Sequence, residues 1–362
     1  MVYGRLQGVK MPALNHLFSK HVYGKPKKLI LFVTSRCNLR CEHCFNWKNL
    51  NTEELSPGEL ESFSNMLGKL DLLSISGGEP FLRKDLMQIC GFFIKNNSLR
   101  NVGIPTNGQL KGKIISFCNA FLQTYQDVNL SIYLSLEGPS EINDVVRGKQ
   151  GAYASVLDTY KSLVNLKKNP RFRLFLTTTL SNFNINHIPR LLELVKTDFP
   201  GIDFHSFEIM RGNPRNPRYS SPGIDQLNKV KPLIFESYRT HSFYRNKLLS
   251  FFVSYMKIYI LETYIKILKS KKQPFRCYAP NLHLVLDERG NVYFCELTPP
   301  IGNIKSSTLK SIFNSDKAKA VFKSIIERKC YCVHSCFQQD NIILNLRTYP
   351  AFLWFLLKKI IH

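Results

Sequence analysis

Two absences bound what this chain can be. The N-terminal segment MVYGRLQGVKMPALNHLF holds no uninterrupted apolar stretch of the kind a signal peptide requires, so a cytoplasmic protein is expected. The apolar run after Pro350, in the tail NIILNLRTYPAFLWFLLKKIIH, falls well short of the ~20 residues that span a bilayer. Acidic residues are also scarce, 26 against 50 lysines and arginines, giving a formal net charge of +24. That excess favours an acidic partner, yet no aromatic-interleaved basic stretch or nucleic-acid motif occurs, so no nucleic-acid partner is expected. An anionic substrate or an anionic membrane surface remains, with the protein then peripheral to the membrane. A lysine-rich solvated surface explains the charge equally well, since the runs KPKK (25–28) and KSKK (269–272) are short. Internal repeats and low-complexity segments are missing. About 28 residues precede the first strand-like run, too few for a separate domain with its own core, which lowers the expectation of a peptide substrate read through such a domain.

What is present is a regular alternation. LILFVT (29–34) is a short apolar run that reads as a buried strand, and SPGE (56–59) offers a capping box with proline at the first helical position. Further strands are expected at 70–76, 101–106, 130–136, 172–180 and 202–210. Helices are expected over 83–96, beyond Lys111, near 152–167 and near 187–198. Six strands joined by crossover helices make an α/β fold, a partial (β/α)6 barrel over residues 29–213, with residues 1–28 as an N-terminal extension. The unusual polar and turn residues all follow strands, and in such barrels chemistry sits at the C-terminal strand ends. Residues 214–276 read as a connecting helical segment whose amphipathic part, FFVSYMKIYILETYIKILK, either lids the barrel or binds a membrane. Residues 277–340 form a small Cys-rich α+β module, with a hairpin over 282–296 turning at 288–291 and a helix near 306–328. An apolar tail covers 341–362. It packs on the protein or lies at a membrane interface, with Trp354, Lys358 and Lys359 at the boundary.

Ten cysteines in a reducing compartment point to ligands or core residues rather than disulfides. Cys90 and Cys118 stand in apolar helical contexts and read as core thiols. Cys37, Cys41 and Cys44, in CNLRCEHCF, leave a tetrahedral site one ligand short. His43 or His21 could complete a zinc site; equally, three thiols from one loop suit a [4Fe–4S] cluster with one iron open to an exogenous ligand.

The cysteine loop after the first strand, with GGEP (77–80) after the second, resembles the radical S-adenosylmethionine enzymes. The resemblance implies a [4Fe–4S] cluster on Cys37, Cys41 and Cys44 whose open iron binds S-adenosylmethionine. Reductive cleavage then yields a 5′-deoxyadenosyl radical that takes hydrogen from a substrate. It implies cofactor contacts from Gly77, Gly78, Glu79 and Pro80, with Glu79 toward the methionyl ammonium. His43 is implied beside adenine, Phe45 near the cluster, Ser135 and Glu137 at the ribose, and Arg147 at the methionyl carboxylate. Asn107 is either a further contact or the turn residue of TNG. A flavodoxin- or ferredoxin-type reductant is implied as partner. No catalytic acid or base is singled out.

The C-terminal module resembles the twitch/SPASM extensions that hold auxiliary iron–sulfur clusters. The matching residues are Cys277, Gly290 before Cys295, GNI (302–304) and the group Cys330, Cys332 and Cys336. Five thiols complete one four-cysteine cluster with one left over, so Cys277, Cys295 and Cys336 are the expected ligands and Cys330 or Cys332 the spare. Zinc is the alternative, and His334 reads as a loop residue. The substrate stays open between a peptide and a lipid- or sugar-type metabolite; a non-catalytic iron–sulfur or zinc protein is the rival reading.

Overall fold

A computed structural model describes residues 25–49, 53–240, 247–346, 348–350, 353, 354 and 357. His21, most of the N-terminal extension, Lys358 and Lys359 lie outside the described residues. The first half alternates as β1 (Lys28–Thr34), α1 (Pro57–Met66), β2 (Leu72–Gly77), α2 (Leu86–Asn97), β3 (Asn101–Thr106) and α3 (Lys111–Thr124). It continues through β4 (Asn129–Ser135), α4 (Ser140–Arg147), α5 (Ala152–Leu163), β5 (Phe172–Leu180), α6 (Ile188–Asp198) and β6 (Phe204–Ile209). After β6 come α7 (Ile224–Thr240), α8 (Lys247–Ser270), α9 (Ala279–Leu282), β7 (His283–Leu286), β8 (Asn291–Tyr293) and β9 (Gly302–Asn303). The order ends with α10 (Leu309–Asn314), α11 (Asp316–Ile326) and α12 (Ser335–Leu344).

Local chemistry explains the boundaries. The expected capping box starts α1: the Ser56 amide donates to Glu59 Oε2 at 2.7 Å, and the Glu59 amide donates back to Ser56 Oγ at 3.3 Å. β1 is buried along nearly its whole length, as befits a strand with neighbours on both edges and covered faces. Strands β1 to β6 pair in parallel, and the described strands form one sheet in the order β6-β5-β4-β3-β2-β1-β7-β8-β9. The sheet does not close, so the architecture is a partial barrel. Cys90 and Cys118 are fully buried among core residues, as expected.

Three features differ from the sequence expectations. The Cys-rich module is not a separate layer: β7 pairs in parallel with the free edge of β1, from Lys28↔His283 to Leu31↔Leu286, and β8 and β9 extend the same sheet antiparallel. The single helix near 306–328 is two, because Ser315 ends α10 and caps α11 by accepting from the Ala318 amide. The boundary at 340/341 falls inside α12, where Asp340 binds Lys28 Nζ at 2.7 Å and lies 2.6 Å from His283 Nε2. Of the two readings of the amphipathic helix, packing on the protein is the one burial supports: α8 buries Ile258, Tyr259, Ile260, Leu261, Tyr264, Ile265 and Ile267 in the core.

Candidate active site

The cysteine loop leaves β1 and is clamped from three sides. The Gly78 amide donates to Thr34 O and the Glu79 amide to Arg36 O, both at 2.8 Å. This approach is so close that a Cβ on Gly78 would lie 2.1 Å from Arg36 O, and Gly77 takes φ +123° against Thr34. The Glu42 amide reaches Val146 O at the end of α4 (2.9 Å), and Gly148, at φ +64°, passes against Arg40 O. From beyond β6, the Arg215 and Asn216 amides reach Cys44 O and Glu42 O at 3.1 and 2.9 Å. The two glycines of GGEP therefore serve the loop's own backbone. Gly78→Ala is expected to push the loop out of register, costing about 1–3 kcal/mol as an overpacked site does. The variant should take up fewer irons at this loop while keeping its far-ultraviolet circular dichroism; undiminished iron content would contradict the clamp.

Cys37, Cys41 and Cys44 line a cavity of about 230 Å³ together with Gly77, Gly78, Glu79, Asn107, Ser135, Arg147, His43 and Phe45. Burial pushes the Cys37 thiol up to about 11 and raises Cys44, so both sulfurs keep their protons until a cation displaces them. Arg147 Nη1 stands 3.6 Å from Cys41 Sγ and Asn107 Nδ2 stands 4.0 Å from Cys37 Sγ, donors suited to thiolate sulfur. Buried thiols from one loop, with a guanidinium and an amide at the sulfurs, fit an iron–sulfur cluster with an open iron.

The remaining expected residues fall on the wall or just behind it. Glu79 is buried, its Oε1 accepting from the Phe81 amide (3.2 Å) and Thr106 Oγ1 (2.8 Å) and its Oε2 from the Asn107 amide (2.8 Å). Burial raises its carboxyl to about 7 against those bonds. Asn107 is both wall and turn, since its side chain bonds Asn38 and Gly108 follows at φ +72°. His43 is held neutral, down to about 3, by burial and then by Arg147, and its Nδ1 is buried without a partner. Ser135 lines the cavity; Glu137 does not. The Glu137 carboxylate instead takes Arg147 Nη2 at 2.5 Å and the Thr179 amide at 2.7 Å, behind the wall. Pro80 also stands off the wall, opening a short 3₁₀ turn over Pro80–Leu82.

In the C-terminal module Cys277 and Cys295 are buried, Cys332 is half-buried, and Cys330 and Cys336 are exposed. Burial raises Cys277 to about 12 and Cys295 well above its ordinary value, with Cys332 adding to both and Cys330 to Cys277. The five thiols of this module include a donor set of the kind that fits a four-cysteine cluster. Cys336 also acts on Tyr133, Arg211, Lys257 and Tyr264, and Cys332 acts on Tyr264 beside it, so the group faces the barrel.

Sequence reasoning missed the groups that join the two sites. Arg211 lines the cavity, lies 5.2 Å over the Phe45 ring, and binds Glu296 Oε1 through Nη2 (2.6 Å) and Nε (2.9 Å). His334 Nε2 stands 2.8 Å from the same oxygen. Burial alone would raise Glu296, but Arg211 and then His334 hold it well below the carboxylate range. His334, read as a loop residue, is thus buried in a charge cluster. On β6, Glu208 accepts from Ser206 Oγ at 2.8 Å, and its Oε2 is buried without a partner. Glu208 pairs in register with Thr179, a cavity residue. The alternation Phe204-His-Ser-Phe-Glu was the available cue, since it puts Ser206 and Glu208 on one face of a strand.

Comparison with known proteins agrees with this geometry. Residues 31–195 match the radical SAM superfamily and residues 277–338 an iron–sulfur cluster-binding domain, SPASM. An uncharacterized protein of Methanocaldococcus jannaschii is 27% identical over 84% of this chain and 94% of its own length. Fe-coproporphyrin III synthase of Methanosarcina barkeri is 31% identical over 66% of this chain, which spans 57% of that protein. The solved structure of anSMEcpe with bound AdoMet superposes with a TM-score of 0.60 over 93% of this chain and 98% of that one, at 16% identity, a likeness of fold.

Proposed function

The chain belongs to the radical SAM superfamily and carries a SPASM domain, and on that premise we propose that this enzyme oxidises an unactivated C–H position of a substrate held between its two cysteine sets. When bound, a [4Fe–4S] cluster with S-adenosylmethionine supplies hydrogen abstraction by a 5′-deoxyadenosyl radical, and an auxiliary cluster supplies a second redox centre. The single observation that carries the reading is the Arg211–Glu296–His334 chain. It ties the wall of the first cysteine cavity to the module holding the other cysteines.

The chain's own residues then have distinct tasks. Cys37, Cys41 and Cys44 hold the first cluster, and Arg147 and Asn107 donate toward its sulfurs. Glu79 braces the ends of β2 and β3 and keeps one lone pair of Oε2 for an ammonium group. Ser135 and Asn107 offer hydrogen bonds to a polar ligand along the wall. Glu208 Oε2 accepts from the substrate, and the half-buried Lys257, 3.2 Å from Gln339 Oε1, offers a cation on helix α8. Cys277, Cys295 and Cys336, with Cys330 or Cys332 as the fourth thiol, would hold the auxiliary cluster. Electrons come from a flavodoxin- or ferredoxin-type partner.

The test is anaerobic. Protein reconstituted with iron and sulfide, given dithionite and S-adenosylmethionine, is expected to release 5′-deoxyadenosine, and Cys44→Ala none. Equal yields from both proteins, or none from wild type loaded at both sites, would count against the reading.

A further inference from the structure

A second cavity, of about 440 Å³, lies away from the cysteine loop and shares no residue with its wall. Its cations come from three parts of the chain: Lys266 on α8, Arg276 in the connection before Cys277, and Arg328 after α11. No carboxylate lines it among the described residues, and none of the three cations makes an ion pair there. Arg276 is the most telling. Its Nε is buried without a partner, its Nη2 reaches only Asn281 Oδ1 at 3.4 Å, and its guanidinium lies 5.2 Å over the Tyr278 ring. Tyr259, Thr263 and Asn345 add polar groups at the wall. A cluster of like charges around a cavity repels itself unless an anion sits among them. The end of α8 adds Lys269, Lys271 and Lys272, all exposed, to the same basic region.

The segment that closes one side of this cavity also carries exposed apolar side chains. Thr348 is on the wall, and Leu346, Tyr349, Leu353, Trp354 and Leu357 around it are 61, 43, 56, 62 and 54% exposed. Positions 346, 349, 353 and 357 follow helical spacing, so on a helix they would share one stripe. An exposed apolar stripe beside unpaired cations is complementary to the acyl boundary and phosphate headgroups of an anionic bilayer. No described helix is long and apolar enough to cross a membrane, so such a stripe would lie on one.

We propose that the cavity of Lys266, Arg276 and Arg328 binds the phosphate of an anionic phospholipid, and that the adjoining tail seats its apolar stripe in the same membrane surface. A compact cavity favours a headgroup over the extended basic track a nucleic acid needs.

The experiment uses the full-length reconstituted protein and sucrose-loaded vesicles of phosphatidylcholine with or without phosphatidylglycerol. The protein is expected to sediment with the phosphatidylglycerol vesicles alone, less so as salt rises. Lys266→Gln with Arg328→Gln, both exposed and remote from the cysteine loop, should weaken that binding about tenfold. Leu353→Ser with Leu357→Ser should weaken it by a similar factor, with iron content unchanged in both double variants. Failure to sediment, or sedimentation untouched by the charge variant, would overturn the proposal. So would inorganic phosphate or single-stranded RNA binding at the cations with no vesicle binding, since the site would then serve a soluble anion or a nucleic acid.

Discussion

Arg147→Met is expected to unfold about 3–5 kcal/mol more easily than wild type and to release no 5′-deoxyadenosine. The side chains of Arg147 and Glu137 are 9 and 2% exposed and sit 2.5 Å apart, so removing the cation strands a carboxylate inside the barrel. Glu137 cannot move to water. Its Oε2 takes the Thr179 amide, its own amide donates to Asn143 Oδ1, and its carbonyl accepts from Asn184. Burial already pushes the Glu137 carboxyl up, with the Arg147 cation pulling it back; without that cation it folds only as the neutral acid. The double variant Arg147→Met, Glu137→Leu removes both charges and should recover most of the stability. It should not recover S-adenosylmethionine cleavage, because the other edge of Arg147 faces Cys41 Sγ and the cavity. Urea midpoints for the two variants, read beside deoxyadenosine yields, separate the structural role from the cofactor role. Equal stability of single and double variants would show that Glu137 is already neutral and that the pair contributes nothing.

The same residues show where sequence reasoning reaches its limit. The parallel strands were legible because a buried strand is a short apolar run, and the turn chemistry after each marks its C-terminal end. The helix α4 was not, since SEINDVVR is short and charged, and its fixing contacts, such as Val146 O to the Glu42 amide, come from a loop a hundred residues earlier. Nor does any local pattern announce that His283 will pair beside Lys28, because edge-to-edge strand pairing is a property of the finished sheet. The glycines of GGEP, expected as cofactor contacts, also let the backbone pass against Thr34 and Arg36 at the start of the cysteine loop, a neighbour no local pattern names. Glu137 shows the limit most plainly. The family resemblance implies a ribose contact for this carboxylate, and only the fold reveals the guanidinium that pairs with it.

Glu296→Gln is expected to disconnect the two sites while leaving the first intact. The Glu296 carboxylate is 8% exposed and balances two cationic groups at once, the half-buried Arg211 guanidinium at 2.6 Å and the buried His334 at 2.8 Å. Although burial and Arg211 both act to lower it, His334 is raised to about 9 by that carboxylate, and so carries a proton at neutral pH. Neutralising Glu296 leaves the half-buried Arg211 without its counter-charge, a loss of about 1–3 kcal/mol if the fold stays rigid. The fold has a cheaper response, because the cost can be met locally. Glu296 adjoins Cys295, and His334 lies between Cys332 and Cys336, so the module can open and hydrate Arg211 without disturbing β1 to β6. The expected result is a protein that keeps the iron of Cys37, Cys41 and Cys44 and the deoxyadenosine yield without substrate, but loads little iron at the C-terminal cysteines. A companion Cys295→Ala, also deprived of the second site, should match it in iron content and not in stability, since its charge cluster is untouched. If Glu296→Gln loads both sites fully, the Arg211–Glu296–His334 chain is a surface tether of little worth. The proposal that the two cysteine sets work on one substrate would then lose the observation it stands on.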